Sequence, residues 1–426
     1  MQIQDIAKLI GLQGVRVTKI TCDETKGITE IEIEPMVYKR MCPCCRSKNV
    51  RHHGKPGRRQ IKHVKIAVTQ CVLLALRVRL KCKDCEATHT VEYEFVSGKE
   101  RYTAAYKAQI YEMAIGSTVA HTAEVSETPY STAERFFKEA ALRIAVYTKE
   151  HVQKVAQESA KLILVIDDFA IRKGHNYNTG IHDMRGESLL CVIEGRTTEE
   201  LDEFMVKNPQ LAALTPYAVV MDLAQQYHTF AAKYYPGAIR VADRFHANSY
   251  IIDALNEIRR RVSKELSPKD RADLKRNKHL LNKRNDDLTE TQRAKLKLLL
   301  SHSNDLKAAY DLKEQLIDWY DCSFNYESAK TGFQRWIARG HALNIPEINT
   351  ALKTFVNWQT EIVNYHRCRF TNGIVEGRNG KIKSLQRRRF FLRNRTFYES
   401  LILIECNREV ARDIFVSLFK PKPFAV

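Results

Sequence analysis

The stretch from Leu162 to Asp168 reads LILVIDD, five apolar residues between Lys161 and a pair of carboxylates. A run of this kind predicts a strand buried on both faces. Ending such a strand in carboxylates carries charge to the edge of a core, where an ionised group is costly unless paired or metal-bound. The next stretches, NYNTGIHD and SLLCVIEG, predict two more strands. Gly174 and the Arg185-Gly186 turn join the three into an antiparallel meander. Tyr217 to Asp222 (YAVVMD) is another apolar run closed by an aspartate. Glu376 lies in NGIVEGRNGKIK, a helical stretch with Asn372 as its N-cap.

Two strand-end aspartates, Asp167 and Asp222, and one helical glutamate, Glu376, suit a two-metal phosphoryl-transfer site. Carboxylates are hard ligands for Mg²⁺ (or Mn²⁺), and two such ions activate the attacking oxygen and stabilise the leaving one. Aspartates at strand ends are common, so the triplet alone decides little. The order carries more: meander, helix, strand, helix, strand, with carboxylates where the first and fourth strands end. That is the layout of an RNase H-like α/β core with a mixed sheet. Asp243, which closes the following strand AIRVA, is a rival to Asp222, and His246 is placed to orient a ligand or the DNA. Asp168, Asp183 and Asp253 read as solvated or structural.

The formal net charge of +19, from 69 Lys and Arg against 50 Asp and Glu in 426 residues, makes a polyanion the first expected partner. No apolar run approaches the roughly 18 residues of a membrane helix. The opening MQIQDIAKLIGLQ lacks the basic start and apolar core of a signal peptide. Eleven cysteines, four of them in two CxxC pairs, fit a reducing compartment and metal binding better than a disulfide framework. The expected location is the cytoplasm, on DNA.

Residues 1–95 are expected to form a zinc-ribbon β domain. VRVTKI and TEIEIEP predict strands. Cys42 and Cys45, then Cys82 and Cys85 after 36 intervening residues, are two knuckles that complete one tetrahedral, structural Zn²⁺ site. Cys44, His52, His53 and His63 are nearby competitors. The apolar stretch Gln70 to Leu80 is expected to supply the zinc unit's core. Twelve Lys or Arg against two acids between Arg46 and His89 make Arg58, Arg59 and Lys62 candidates for phosphate contact. In residues 96–150, TVAHTAEV, an SETP turn and YSTAERFFKEAA have the proportions of a helix-turn-helix. Its second helix would offer Tyr130, Ser131, Thr132 and Arg135 to DNA.

Residues 151–262 hold the first part of the core, with Thr197 to Asn208 a capped helix. Residues 263–365 read as a large all-α insertion with Trp319 and Trp336 inside it. Residues 366–426 complete the core. Asn379 and Lys383 share the helical face of Glu376. From Arg378 to Arg395 there are eight Lys or Arg and no acid, interleaved with Phe390 and Phe391. Arg378, Lys381, Lys383, Arg387, Arg388 and Arg389 are the candidate DNA contacts there. Glu399 to Phe419 is expected to be one apolar helix packed on the sheet.

In sequence, these blocks are CPxC…CxxC, a helix-turn-helix, VIDDFAIRKGHNYNTGIHD, VVMD followed by YYPGAIRVADRFHA, and FTNGIVEGRNGKIKSLQRRR. Their order resembles bacterial insertion-sequence transposases of the ISL-three family over nearly the whole chain. The resemblance implies that Asp167, Asp222 and Glu376 are the catalytic triad, holding two Mg²⁺ or Mn²⁺ ions. It implies that the zinc unit and helix-turn-helix recognise the element's ends, and that strand cleavage is followed by joining to target DNA. It also implies a homodimer or larger assembly, because two DNA ends are brought together. Two other readings stay open: a zinc-ribbon and helix-turn-helix regulator without catalysis, and an RNase H-like nuclease that cuts without joining.

Overall fold

The computed structural model describes residues 3–172, 175–370, 373–389 and 394–419 and divides into two compact units. The expected turn at Gly174, the N-cap at Asn372 and the pair Phe390 and Phe391 lie outside those residues. Among the described residues no helix is long and apolar enough to cross a membrane.

The first unit comprises residues 1–148, 388–404 and 408–426. It opens with α1 (Ile3–Leu9), β1 (Val15–Asp23), β2 (Ile28–Pro35), β3 (Val50–His52), β4 (Gly57–Ile66), β5 (Thr69–Arg77), β6 (Arg79–Cys82) and β7 (Thr88–Thr90). These strands make two sheets, of order β1-β2-β5-β4 and β3-β6-β7. Alternation along the strands sends Ile31, Ile33, Ile61, Cys71, Leu73 and Ala75 into one core. Gln70 to Leu80 is therefore not the core of the zinc unit. It divides at Val78, with β5 in the larger sheet and only β6 beside the cysteines. The three-residue strands β3 and β7 are too short to cover its apolar side chains, whereas β2 and β4 are not.

Helices α2 (Ala104–Ile115), α3 (Val119–Val125) and α4 (Tyr130–Glu158) follow. Thr103 and Thr118 cap the first two by accepting backbone N–H bonds. Tyr106, Ile110, Ala123, Ala133 and Phe136 form a small core between them. The third helix continues well past the expected end at Ala141. Its apolar period persists, with Ile144, Ala145, Val152 and Ala156 all buried.

The second unit comprises residues 149–387 and 405–407. Its sheet starts with the expected meander β8 (Ile163–Arg172), β9 (His175–Asp183) and β10 (Ser188–Glu194). Then come α5 (Thr198–Lys207), α6 (Pro209–Ala212), β11 (Ala218–Met221), α7 (Gln225–Tyr234) and β12 (Ile239–Ala242). Thr197 and Glu200 close a reciprocal capping box on α5. The strand order is β10-β9-β8-β11-β12, with β11 parallel to both neighbours. Contrary to expectation, β8 does not end at its carboxylates. Pairing with β9 carries it on to Arg172, while its parallel ladder with β11 stops at the Ile166–Met221 pair. Asp167 and Asp222 are thus the next residues of two adjacent parallel strands.

The all-α stretch is α8 (Arg244–Ser263), α9 (Pro268–Arg276), α10 (Lys278–Asn282), α11 (Glu290–Leu300), α12 (Asn304–Cys322), α13 (Tyr326–Ala342), α14 (Pro346–Asn357) and α15 (Gln359–Cys368). It shares one core with the sheet, in which Ile163, Val165, Val220 and Val241 join Ile251, Leu255, Leu316, Trp319, Trp336 and Phe355. Buried Lys313 donates from Nζ to the carbonyls of Leu281 and Lys283, at 3.0 and 2.6 Å.

The last described elements are α16 (Gly373–Arg388), α17 (Arg395–Cys406) and α18 (Arg408–Phe419). Glu399 to Phe419 is therefore two helices, not one. The last helix packs on α2, with Phe415 stacked on Tyr111 at 5.0 Å between centroids. Asn407, in the break, turns its amide to the edge strand β10. It accepts from Leu189 N at 2.8 Å and donates to Leu189 O at 3.0 Å. Those edge groups, being buried, need partners. Asn407→Ala strips both and should cost about 2–6 kcal/mol, at roughly 1–3 per unsatisfied group. Urea denaturation followed by far-UV circular dichroism would show the lowered midpoint; an unshifted midpoint would mean that water replaces the amide.

Candidate functional site

The four cysteines meet as their spacing predicts. Cys42, Cys45, Cys82 and Cys85 bring all their sulfurs within 4.8 Å of one another, and Cys44 is outside the set. The Cys42–Cys85 and Cys45–Cys82 sulfurs are 3.5 and 3.6 Å apart. A tetrahedron with Zn–S bonds of about 2.3 Å has edges of roughly 3.8 Å, so the cradle fits zinc. The two knuckles repeat each other. Cys42 N bonds Ser47 O at 2.8 Å and Cys82 N bonds Ala87 O at 2.9 Å. The residue after each pair, Arg46 or Glu86, takes a left-handed φ of 59°. Asp84 ties them together by accepting from Ser47 and Asn49. His63 does not compete, since its ring is engaged by Thr103 Oγ1 and Ile10 O.

The basic residues proposed for DNA divide into free and engaged groups. Arg58 pairs with Glu32 and Glu34, and Arg59 donates to Gly98 O. Lys62, expected to face phosphate, instead donates to the carbonyls of Ser126 and Glu127, and burial pulls its ammonium below the usual lysine range. Tyr130 is 53% exposed on the first turn of α4, with Ser131 and Arg135 also exposed and Thr132 half-buried. Arg135 pairs with Glu139 and lies over the Phe136 ring.

The carboxylate cluster is built where the parallel ladders end. Asp167 is buried, and that burial, followed by the charge of Asp222, pushes its carboxyl up to about 7. Burial also raises Asp222. Asp243, 2% exposed, caps α8 by accepting from His246 N at 3.3 Å. His246 Nδ1 stands 2.7 Å from Asp222 Oδ1 and 3.0 Å from Asp243 Oδ2. Those two carboxylates, Asp222 foremost, raise the imidazole to about 10 and keep it cationic at neutral pH. Asp222, Asp243 and His246 present ligand atoms within 4.8 Å of one another. Asp243 Oδ1 is buried and lacks a hydrogen-bond partner among the described residues. Crowded, desolvated oxygens with one imidazole are a donor set that a divalent cation suits.

Asp168 takes the opposite face of β8 from Asp167 and pairs with Arg196 at 3.3 Å. Asp183 is buried and accepts from Arg185 N, while Asp253 is exposed. Glu376 lies exposed on the first turn of α16. One turn on, Asn379 Nδ2 donates to Asp167 Oδ2 at 2.7 Å, which brings that helical face to the aspartates. Arg378, expected at a phosphate, is instead 4% exposed and lies 3.4 Å from His182 Nδ1. Burial drives His182 down to about 3, so it stays neutral and accepts from the guanidinium. No pattern in NTGIHD marks His182 for this role. Lys381, Lys383 and Arg387 are exposed, Arg388 is half-buried, and Arg389 donates to Ala114 O at 2.6 Å over the Phe137 ring.

Residues 164–402, more than half of the chain, match the DDE transposase family of the ISL3 type. The chain belongs to that family. It is also similar to the transposase for insertion sequence element IS1001 of Bordetella parapertussis, 25% identical over 397 residues that cover 91% of this chain and 94% of the relative. The transposase for insertion sequence element IS1557 of Mycobacterium tuberculosis is 23% identical over 395 residues, covering 87% of this chain and 86% of the relative.

Two outcomes are expected of this transposase. Cys82→Ser should remove stoichiometric zinc and lower the melting temperature; elemental analysis and calorimetry that find both intact would refute a structural zinc site. Asp167 and His246 hold protons near neutrality that a cation ligated by either would have to displace, so Mn²⁺ bound there should gain affinity as pH rises. Titration calorimetry should find binding at least about tenfold tighter at pH 8 than at pH 6, one proton released per ion giving about tenfold per pH unit. Equal affinity at the two pH values would exclude both groups as ligands.

Proposed function

We propose that the transposase cuts DNA at the ends of its element and joins the freed 3′-hydroxyls to target DNA, with Asp167, Asp222 and Glu376 as the catalytic carboxylates. The observation that carries this is the shared rung: Asp167 and Asp222 follow directly on the last parallel pair, Ile166 and Met221, of adjacent strands. The strand order, a three-stranded meander followed by two parallel strands, supports an RNase H-like core. The three carboxylates would hold two Mg²⁺ or Mn²⁺ ions, which when bound activate the attacking oxygen and stabilise the leaving one.

The chain's own residues prepare that site. Asn379 holds the carboxylate of Asp167 and orients α16. Arg378, anchored on His182 from another side of the helix, restrains its rotation and so the direction of Glu376. His246 neutralises Asp222 and Asp243 until a cation replaces its proton. Burial excludes water from Asp167, which strengthens its attraction for a cation. Helices α3 and α4 fit a helix-turn-helix, with Tyr130, Ser131, Thr132 and Arg135 facing the DNA of the element's ends. The zinc knuckles would hold the N-terminal strands in shape beside it. Joining two ends calls for at least two copies of the chain.

A supercoiled plasmid carrying the gene's own flanks tests the proposal. With Mg²⁺, the protein should cut at the flank ends and form joined products. Asp167→Asn and Glu376→Gln should abolish both while still retarding the DNA. Asp243→Asn keeps an N-cap side chain and should cut, whereas Asp222→Asn should not. The reverse pattern would move the second ligand to Asp243. Cuts without joined products would make the protein a nuclease of the same fold.

A further inference from the structure

The N-terminal unit contains a cleft of about 1170 Å³ whose charge the site above does not use. It opens where the larger sheet gives way to the zinc-knuckle sheet, and Lys39, Arg59, Arg77, Arg79, His89 and Lys99 line it. Only two carboxylates, Glu92 and Glu94, share that lining with five Lys and Arg.

The strand pattern explains why the cations gather there. Ile61, Leu73 and Ala75 face the core, and on the same face the next positions along β4 and β5 are Arg59 and Arg77. Arg59 is paired with Ala75 in the ladder, and Gly57 is paired with Arg77. A glycine opposite Arg77 leaves its guanidinium room. The apolar face therefore ends in a row of positive charge. Arg77 and Arg79 flank buried Val78, two residues apart and so about 6–7 Å along an extended chain.

Partnership separates the two faces of β4. Arg58, on the other face, is neutralised by Glu32 and Glu34. Lys39, Arg77, Arg79 and Lys99 have no ion pair among the described residues. Unpaired like charges around one concavity repel each other unless a polyanion enters it. Tyr38 and Tyr93 also border the cleft, with Tyr93 fixed by its hydroxyl bond to Leu76 O at 2.7 Å.

We propose that this cleft is a phosphate clamp for one strand of duplex DNA. It is separate from the α3–α4 pair and reads charge rather than base sequence. The proposal rests on the transposase reading but assigns a division of labour within it: the clamp supplies sequence-independent affinity, and α4 supplies discrimination. Guanidinium and ammonium groups that converge on one concavity suit the phosphate oxygens of a strand, and such contacts position the duplex without reading its sequence.

The experiment is fluorescence anisotropy of the full-length, zinc-loaded protein. Two duplexes are compared, an end of the element and an unrelated sequence of equal length, over a range of salt. The test variant is Arg77→Ala/Arg79→Ala/Lys99→Ala, and the control is Arg16→Ala, which removes a cation paired with Glu34 outside the cleft. All of these positions are exposed, so zinc content and circular dichroism should match the wild type. The triple variant is expected to weaken both duplexes by the same factor and to lower the slope of log K against log salt by about 2–3, each phosphate no longer neutralised accounting for about 0.9. The control should leave the slope unchanged. An unaltered slope in the triple variant would overturn the clamp while leaving the transposase reading intact. Loss confined to the element end would show base readout and also overturn it. A wild-type protein that bound neither duplex would instead defeat the transposase reading itself.

Discussion

Everything in the second unit answers to one electrostatic constraint: carboxylates placed at the edge of a strand core that excludes water. The LILVI run is buried on both faces, so Asp167 and Asp222 emerge where solvation is poor. Ionised groups there must find compensation. In this chain it comes from the Asn379 amide, from the His246 imidazolium, and from a shift of the Asp167 carboxyl towards neutrality. Each of these is provisional in a way that a hydrophobic contact is not. Under the proposed function, a cation would displace the proton on His246 and take over that compensation.

The same constraint accounts for how α16 is docked. Its polar residues are not uniformly solvated, as their density suggests. Asn379 reaches Asp167 and Arg378 reaches His182, so neighbouring residues on the helix contact two different strands of the sheet. A helix held at two bearings cannot easily rotate. Burying Arg378 is costly in isolation, and a neutral histidine acceptor offsets only part of that cost. The expense is understandable if direction, rather than stability, is what the contact secures.

The first unit solves a different problem. Strands of three and four residues cannot enclose a core, so β3, β6 and β7 are organised around four sulfurs and an Asp84 bridge. The apolar residues that follow the first knuckle are recruited by the longer strands β2 and β4. Where their core face runs out, at Arg59 and Arg77, the unit turns from apolar to cationic within one rung.

Much of this was legible in the sequence because it depends on local period and spacing. Five consecutive apolar residues, two CxxC knuckles, the Thr197 cap and the order of carboxylate-bearing segments each follow from short-range physics, and their elements stand where those signals put them. The cysteine set needed only the geometry of a tetrahedron. What tertiary structure alone decided is which polar residues are consumed internally. Lys62 bonds carbonyls 64 and 65 residues away, Arg378 meets a histidine 196 residues away, and Asn407 reaches a strand edge 218 residues away. The division of Gln70 to Leu80 between two sheets and the breaking of the last helix at Asn407 belong to the same class. A side chain's period says which face it occupies, but its partner is set by whatever the fold brings to that face. That choice is made by packing between distant segments, and no local pattern records it.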